Sequence, residues 1–231
     1  MNLTQFRLTG DELERFKAEL QLGMVPIEVP TLSTSSREVL VSELESNYVR
    51  KVIAKLLAVG YGQQRAGKTG KRQRTLVGLA APQIGENVRI IAVDTRVHRD
   101  RKYAGRLEIF INPQIIWRSR ETEEDVEGCF SSGPVWGLLR RPVAIKIRAL
   151  TPEGKATERI YEGFTARIFQ HEYDHLDGIR FADRIKSDNK RHLVHSSELE
   201  QYKKHHKSWS VTCSRQLWQR LKSGGMAVLS D

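Results

Sequence analysis

A histidine pair four residues apart, with a glutamate directly after the first, limits the fold of this chain more than any other feature. In Gln170-His171-Glu172-Tyr173-Asp174-His175 both imidazoles reach one side when the segment is helical, because residues i and i+4 share a helix face. Such a pair can hold one metal ion. Glu172 lies about 100° round the axis, beside the ion's open position, where a carboxylate can move protons to and from water. Phe164, Ile168, His171 and His175 fall at i, i+4, i+7 and i+11, so the histidines prolong an apolar stripe and face inward. The helix is expected to begin near Gly163 and to stop at about Gly178, since glycine favours the left-handed cap.

The rest of the chain reads as α+β: mostly antiparallel β-strands packed around a central helix that carries the histidine motif, with N-terminal helices and a helical, basic C-terminal extension. Residues 10–22 and 36–59 have helical spacing, the second through Leu40, Leu44, Val49, Val52, Ile53, Leu56 and Leu57. Residues 26–30 are extended between two prolines. Residues 60–75 are Gly-rich and basic without apolar periodicity, and read as an exposed loop insertion. Strands are expected at residues 89–94, 107–112 and 143–150, the last from the alternation of Val143, Ile145, Ile147 and Ala149 with Ala144, Lys146 and Arg148. The turn Thr151-Pro152-Glu153-Gly154 and a short strand at 159–161 then make a hairpin. At 231 residues a single domain with an appendage is the default, here a catalytic unit over 1–183 and an extension over 184–231.

Charge separates those two parts. The chain carries 38 Lys+Arg against 28 Asp+Glu, and residues 184–222 alone are about +7, with only Asp188, Glu198 and Glu200 opposing ten basic residues. Such a segment is either a solvated surface or one drawn to a polyanion such as RNA, with salt-dependent affinity. No apolar run nears the roughly 18–20 residues needed to span a bilayer, and the acidic N-terminus lacks the apolar core of a secretory signal. Two cysteines, Cys129 and Cys213, make no disulfide framework and fit a reducing cytosol; the expected location is cytoplasmic.

Two histidines need a third donor, and that donor decides the class. A metzincin-type protease would continue to a third histidine, but the position is Phe181, which cannot ligate. A thermolysin-like site would use a downstream glutamate such as Glu198, which sits in the basic tail. Upstream, Cys129 stands in Glu127-Gly128-Cys129-Phe130-Ser131; its thiolate would suit a tetrahedral site with two imidazoles, although a lone cysteine is usually a small buried hydrophobe. A third segment, Gly78-Leu79-Ala80-Ala81-Pro82-Gln83-Ile84-Gly85, joins small residues to a glutamine amide, a suitable donor to a developing oxyanion. Together G-L-A-A-P-Q, E-G-C-F-S and Q-H-E-Y-D-H-L-D-G resemble, in order, the three signature motifs of the peptide deformylases, and the resemblance covers about residues 26–183.

That resemblance implies an enzyme that removes the N-formyl group from the formylmethionine of nascent polypeptides and releases formate. Cys129, His171 and His175 would hold one divalent metal ion with water as fourth ligand. The family implies Fe(II), with zinc, nickel or cobalt as substitutes; the ligand set alone would not choose iron, because zinc binds such donors more tightly and availability decides. Glu172 would be general base and then general acid. The Gln83 amide and the Phe130 backbone N–H would hold the formyl oxygen. The peptide would lie extended along Val77, Gly78 and Gly128, its methionine side chain in a pocket of Val77, Phe164, Ile168 and the His171 ring. Arg141 would either contact substrate or pair with Glu127. The chain departs from the family pattern at Leu76, where a glycine is usual and a larger side chain is expected to narrow the cleft or reshape its rim, at Phe130 in place of leucine, and at Ser132-Gly133-Pro134.

Three rival readings remain. Gly62-Gln63-Gln64-Arg65-Ala66-Gly67-Lys68-Thr69 fits the phosphate-loop pattern, but such a loop must follow a strand and open a helix, whereas a helix precedes it here; no nucleotide cofactor is expected. A zinc protease rests on the histidine motif alone. An RNA-binding protein rests on the tail alone and leaves the three motifs unexplained. On a deformylase, the tail would be a ribosome-docking extension, and truncation after Asp183 would then spare activity on short peptides.

Overall fold

The computed structural model describes residues 23–61, 76–97 and 106–224. Its strands are β1 (Gly78–Ala80), β2 (Ile90–Asp94), β3 (Leu107–Arg118), β4 (Thr122–Gly128), β5 (Val135–Pro142), β6 (Ala144–Leu150), β7 (Ala156–Glu162) and β8 (Arg191–Leu193). Its α-helices are α1 (Asn47–Gly60), α2 (Gly163–Leu176), α3 (Phe181–Arg184), α4 (Leu199–His205) and α5 (Arg215–Lys222). Two antiparallel sheets form, one in the order β1-β2-β3-β6-β7 and one in the order β4-β5-β8.

The five-stranded sheet is covered on both faces, which is why every residue of β2 is buried. Val49, Val52, Leu56 and Val59 of α1 pack with Leu79, Ile90, Ala92, Ile109 and Ile111 on one side. On the other, Ala166, Ile168, Phe169 and Leu176 of α2 meet Ile91, Val93, Phe110, Ile145, Ile147 and Ala149. The alternation in residues 143–150 therefore reads as anticipated, with Ile145, Ile147 and Ala149 inward. The hairpin to β7 closes through Gly154 N–H donating to Thr151 O at 2.9 Å, with Gly154 at φ +76°. The polar side of α2 grips the second sheet: Arg167 donates to Glu127, to Leu139 O and to Glu123 O, and Gln170 donates to Pro142 O. The histidine helix thus lies between the two sheets.

Several expectations change. The helix expected over 36–59 begins only at Asn47, because Ser46 caps it by accepting from Val49 N–H at 3.2 Å. Leu40, assigned to its apolar face, is exposed. The strand expected to end at residue 112 runs on to Arg118. Asn112 takes φ +49° and a bulge lies between Ile111 and Gln114, so Pro113 is accommodated without ending the strand. The expected helix at 10–22, the loop at 62–75 and the phosphate-loop match lie outside the described residues; the element before that match is α1, a helix.

The 183/184 boundary drawn from composition is not a packing boundary. The extension, expected to be helical, also contributes β8, whose Leu193 and Arg191 pair with Val135 and Gly137 of β5. Tyr202, Cys213, Trp218 and Leu221 are fully buried, the last three in one cluster with Ile27, Val135, Leu139 and Phe181. Trp218 Nε1 and Lys222 Nζ both donate to Asp183, at 2.8 and 2.9 Å. Truncation after Asp183 is therefore expected to yield insoluble protein instead of an active core. The milder Trp218→Ala should cost about 3–5 kcal/mol, lowering Tm by about 10 °C for a chain of this size; calorimetry showing a shift under about 3 °C would mean this segment packs loosely.

Candidate active site

Three donors converge where the sheets face each other across α2. Cys129 follows directly on β4, and His171 and His175 project from one face of α2. One ligand atom from each lies within 4.8 Å of the others, and Cys129 Sγ is 3.3 Å from His175 Nε2. Among the described residues this is the one cluster of histidine, cysteine and carboxylate side chains so arranged; Glu198 does not belong to it.

The residues around the cluster fix which nitrogen faces it. His171 Nδ1 is 2.9 Å from Glu127 Oε2, so Nε2 is left for the site, a common arrangement for metal-binding histidine. Glu127 is itself held by both Arg141 Nε and Nη2, at 2.6 and 2.9 Å, and by Arg167 Nη1 at 2.7 Å. Burial alone would raise the Glu127 carboxyl, but Arg141 and His171 outweigh it and hold it well below the usual range. Burial, then the charges of His171, Arg180 and Arg141, keep His175 neutral, the state in which imidazole binds metal. Burial would do the same to His171, but Cys129 and Glu127 raise it instead; anions that favour a proton there also favour a cation. Two neutral-capable imidazoles, a thiol and a charged carboxylate behind them fit a divalent ion of borderline softness.

Glu172 is 5 % exposed, and its Oε2 has no hydrogen-bond partner. Burial pushes its carboxyl up to about 7, with the His171 charge opposing and the Glu127 charge adding. It lies hard against β1: a Cβ placed on Gly78 would be 2.5 Å from Glu172 Oε1 and 2.8 Å from Ile168 Cγ2, so glycine is required there. Gln83 sits on the turn after β1. Its Oε1 accepts from Ala80 N–H at 2.8 Å, which aims Nε2 at Ser131 Oγ (3.1 Å) and Cys129 Sγ (3.5 Å). Phe130 opens a short turn directly after Cys129.

The polypeptide deformylase family model matches residues 22–191. The chain belongs to that family. Its members are metalloenzymes that remove the N-formyl group from nascent peptides. It is 44% identical over 115 residues to the peptide deformylase of Desulforudis audaxviator, covering 50% of this chain and 70% of that one. It is 33% identical over 159 residues to that of Rhodopirellula baltica, covering 64% and 76%. A Met-Ala-Ser-bound peptide deformylase of Acinetobacter baumannii superposes with a TM-score of 0.60 at 30% identity, over 70% of this chain and 96% of that one.

Within this deformylase framework, Val77, Phe164 and Ile168 meet in one apolar cluster, and Gly78 and Gly128 lie on β1 and β4, each at the edge of its sheet. Arg141 resolves in favour of the ion pair: it is 4 % exposed and occupied by Glu127 and by Asp174 at 2.8 Å, so it stands behind His171 and not in the cleft. Leu76 packs on the α1 side of the sheet and does not narrow the site. Residues that sequence reasoning missed are Glu127 as the brace of His171, Arg167, Asp174 and Ser131. Arg180, fully buried, adds another brace: it donates to Ser131 O at 3.0 Å and to Ile27 O at 2.7 Å.

Proposed function

We propose that this deformylase hydrolyses the formyl amide of N-formylmethionyl peptides with Glu172 as proton carrier and Gln83 and Phe130 as oxyanion donors. The observation that carries the reading is the meeting of a buried carboxylate, one of its oxygens without a partner, and an oriented amide at the Cys129–His171–His175 cluster. A divalent ion held by those three residues, iron(II) by family likeness with zinc, nickel or cobalt as substitutes, would supply a Lewis acid that acidifies water and polarises the formyl oxygen. Glu172 accepts the proton of the attacking water and returns it to the amine nitrogen as the C–N bond breaks, giving formate and a free methionyl terminus. Gln83 Nε2 and Phe130 N–H donate to the formyl oxygen as it gains charge.

The peptide lies extended between the free edges of β1 and β4, adding a strand. Its methionine side chain is directed toward α2, against Val77, Phe164, Ile168 and His171. The Met-Ala-Ser bound to the Acinetobacter protein has the chemistry of the product of such a reaction. Gln83→Ala is expected to lower kcat about 10²–10³-fold with normal metal content; unchanged turnover would remove Gln83 from the mechanism. The reading as a whole is tested by formate release from formyl-Met-Ala-Ser by anaerobically purified protein, and absence of formate overturns it.

The exposed Lys203, Lys204, Lys207, Arg215 and Arg220 support a second proposal, docking on ribosomal RNA, with salt-dependent affinity. A cytoplasmic location is proposed with it; among the described residues no helix is long and apolar enough to cross a membrane.

A further inference from the structure

Gly128 pairs in register with Trp136 of β5, and directly opposed residues of an antiparallel pair share a face. It is the face turned away from α2. The alternate residues Glu127 and Arg141 point toward α2 and hold His171, and Val135 and Leu139 are buried on that inner side. On the outer side the six-membered ring of Trp136 covers the Gly128 backbone: a Cβ placed there would lie 2.4 Å from both Cδ2 and Cε3 and 2.5 Å from Cζ3. Tyr202 braces the indole edge-on, with ring centroids 6.2 Å apart, and Tyr202 is itself fixed by its hydroxyl 2.9 Å from His192 Nδ1. Trp136 remains half-buried. Because β4 is an edge strand and Gly128 has no side chain, a chain added beside β4 meets the indole across the glycine.

We propose that Trp136 is a specificity-determining residue: its indole is an apolar platform for the side chain of the second residue of the formylated peptide. The proposal rests on the deformylase reading above and on strand addition along β4. Side chains of an extended peptide alternate between faces. With methionine directed inward to α2, the second residue is directed outward, to the Trp136 side. A large apolar or aromatic residue there gains contact area that glycine lacks.

The test measures kcat/KM for formyl-Met-Gly-Ser, formyl-Met-Leu-Ser and formyl-Met-Phe-Ser with the native enzyme and with Trp136→Ala and Trp136→Gln. The native enzyme is expected to favour the phenylalanine peptide over the glycine peptide about fivefold, the scale of one aromatic contact, mostly through KM. Both variants should bring that ratio below about twofold. Because each ratio is taken within one preparation, any inactive fraction cancels, and Trp136→Gln keeps bulk should Trp136→Ala fold poorly. A native ratio near one, or a ratio unchanged in the variants, overturns the platform while leaving deformylation intact. Absence of formate from all three peptides overturns the deformylase reading and the platform with it.

Discussion

Glu172→Gln is expected to lower kcat about 10²–10⁴-fold, the usual contribution of a positioned general acid–base group, while the protein keeps its metal and does not lose Tm. The two halves of that expectation have one cause. Glu172 is buried, has one oxygen without a partner, and its carboxyl is raised by burial; such a group destabilises the fold and is suited to exchanging a proton. Glutamine has the same shape and no charge, so the desolvation cost falls, and a buried unpaired polar atom costs about 1–3 kcal/mol at most. The contact with Gly78 and Ile168 is unaltered, so the neighbouring strand edge stays in place. Formate release and metal content on the same preparation check this. A variant within about tenfold of the native kcat would take Glu172 out of proton transfer.

What the sequence disclosed and what it hid follow from how each part is stabilised. The α2 helix was legible because its apolar stripe and both histidines obey one period, and Gly178 ends it at φ +70°. The β6–β7 hairpin was legible because one face is core and the turn is marked by Pro and Gly. β4 was not. Its sequence Thr-Glu-Glu-Asp-Val-Glu-Gly has no apolar alternation, since its inward Asp125 and Glu127 are carboxylates matched to Arg141 and Arg167. A strand held by ion pairs reads as a charged loop until its partners are known. For the same reason Glu127 was seen as a neighbour of Arg141 but not as the brace of His171: the link depends on β4 lying beside α2. The C-terminal segment misled differently. Tyr202, Cys213, Trp218 and Leu221 stand apart among basic residues, so composition described its surface and concealed four side chains that are fully buried.

Removing the thiol should have an effect of a different kind: Cys129→Ala is expected to leave a folded protein without metal and without activity. Loss of an outer hydrogen-bond partner typically weakens metal binding about 10–100-fold, and loss of one of three direct donors exceeds that. The fold should survive, because the braces around the site do not pass through the sulfur. His171 stays on Glu127, Glu127 on Arg141 and Arg167, and Ser131 stays tied by its carbonyl to Arg180. Cys129 is half-buried and its side chain is small, so Tm should move by only about what a modest core deletion costs, 1 kcal/mol or so. Elemental analysis is the direct readout, independent of any assay of turnover. A zinc protease built on His171, Glu172 and His175 with a carboxylate elsewhere requires the opposite, normal metal and normal activity in Cys129→Ala, and that result would detach the sulfur from the metal. Loss of metal with the fold kept would instead tie β4, through Cys129, to the same ion as α2, so that the edge strand beside which substrate is proposed to lie is fixed by the ion that acts on it.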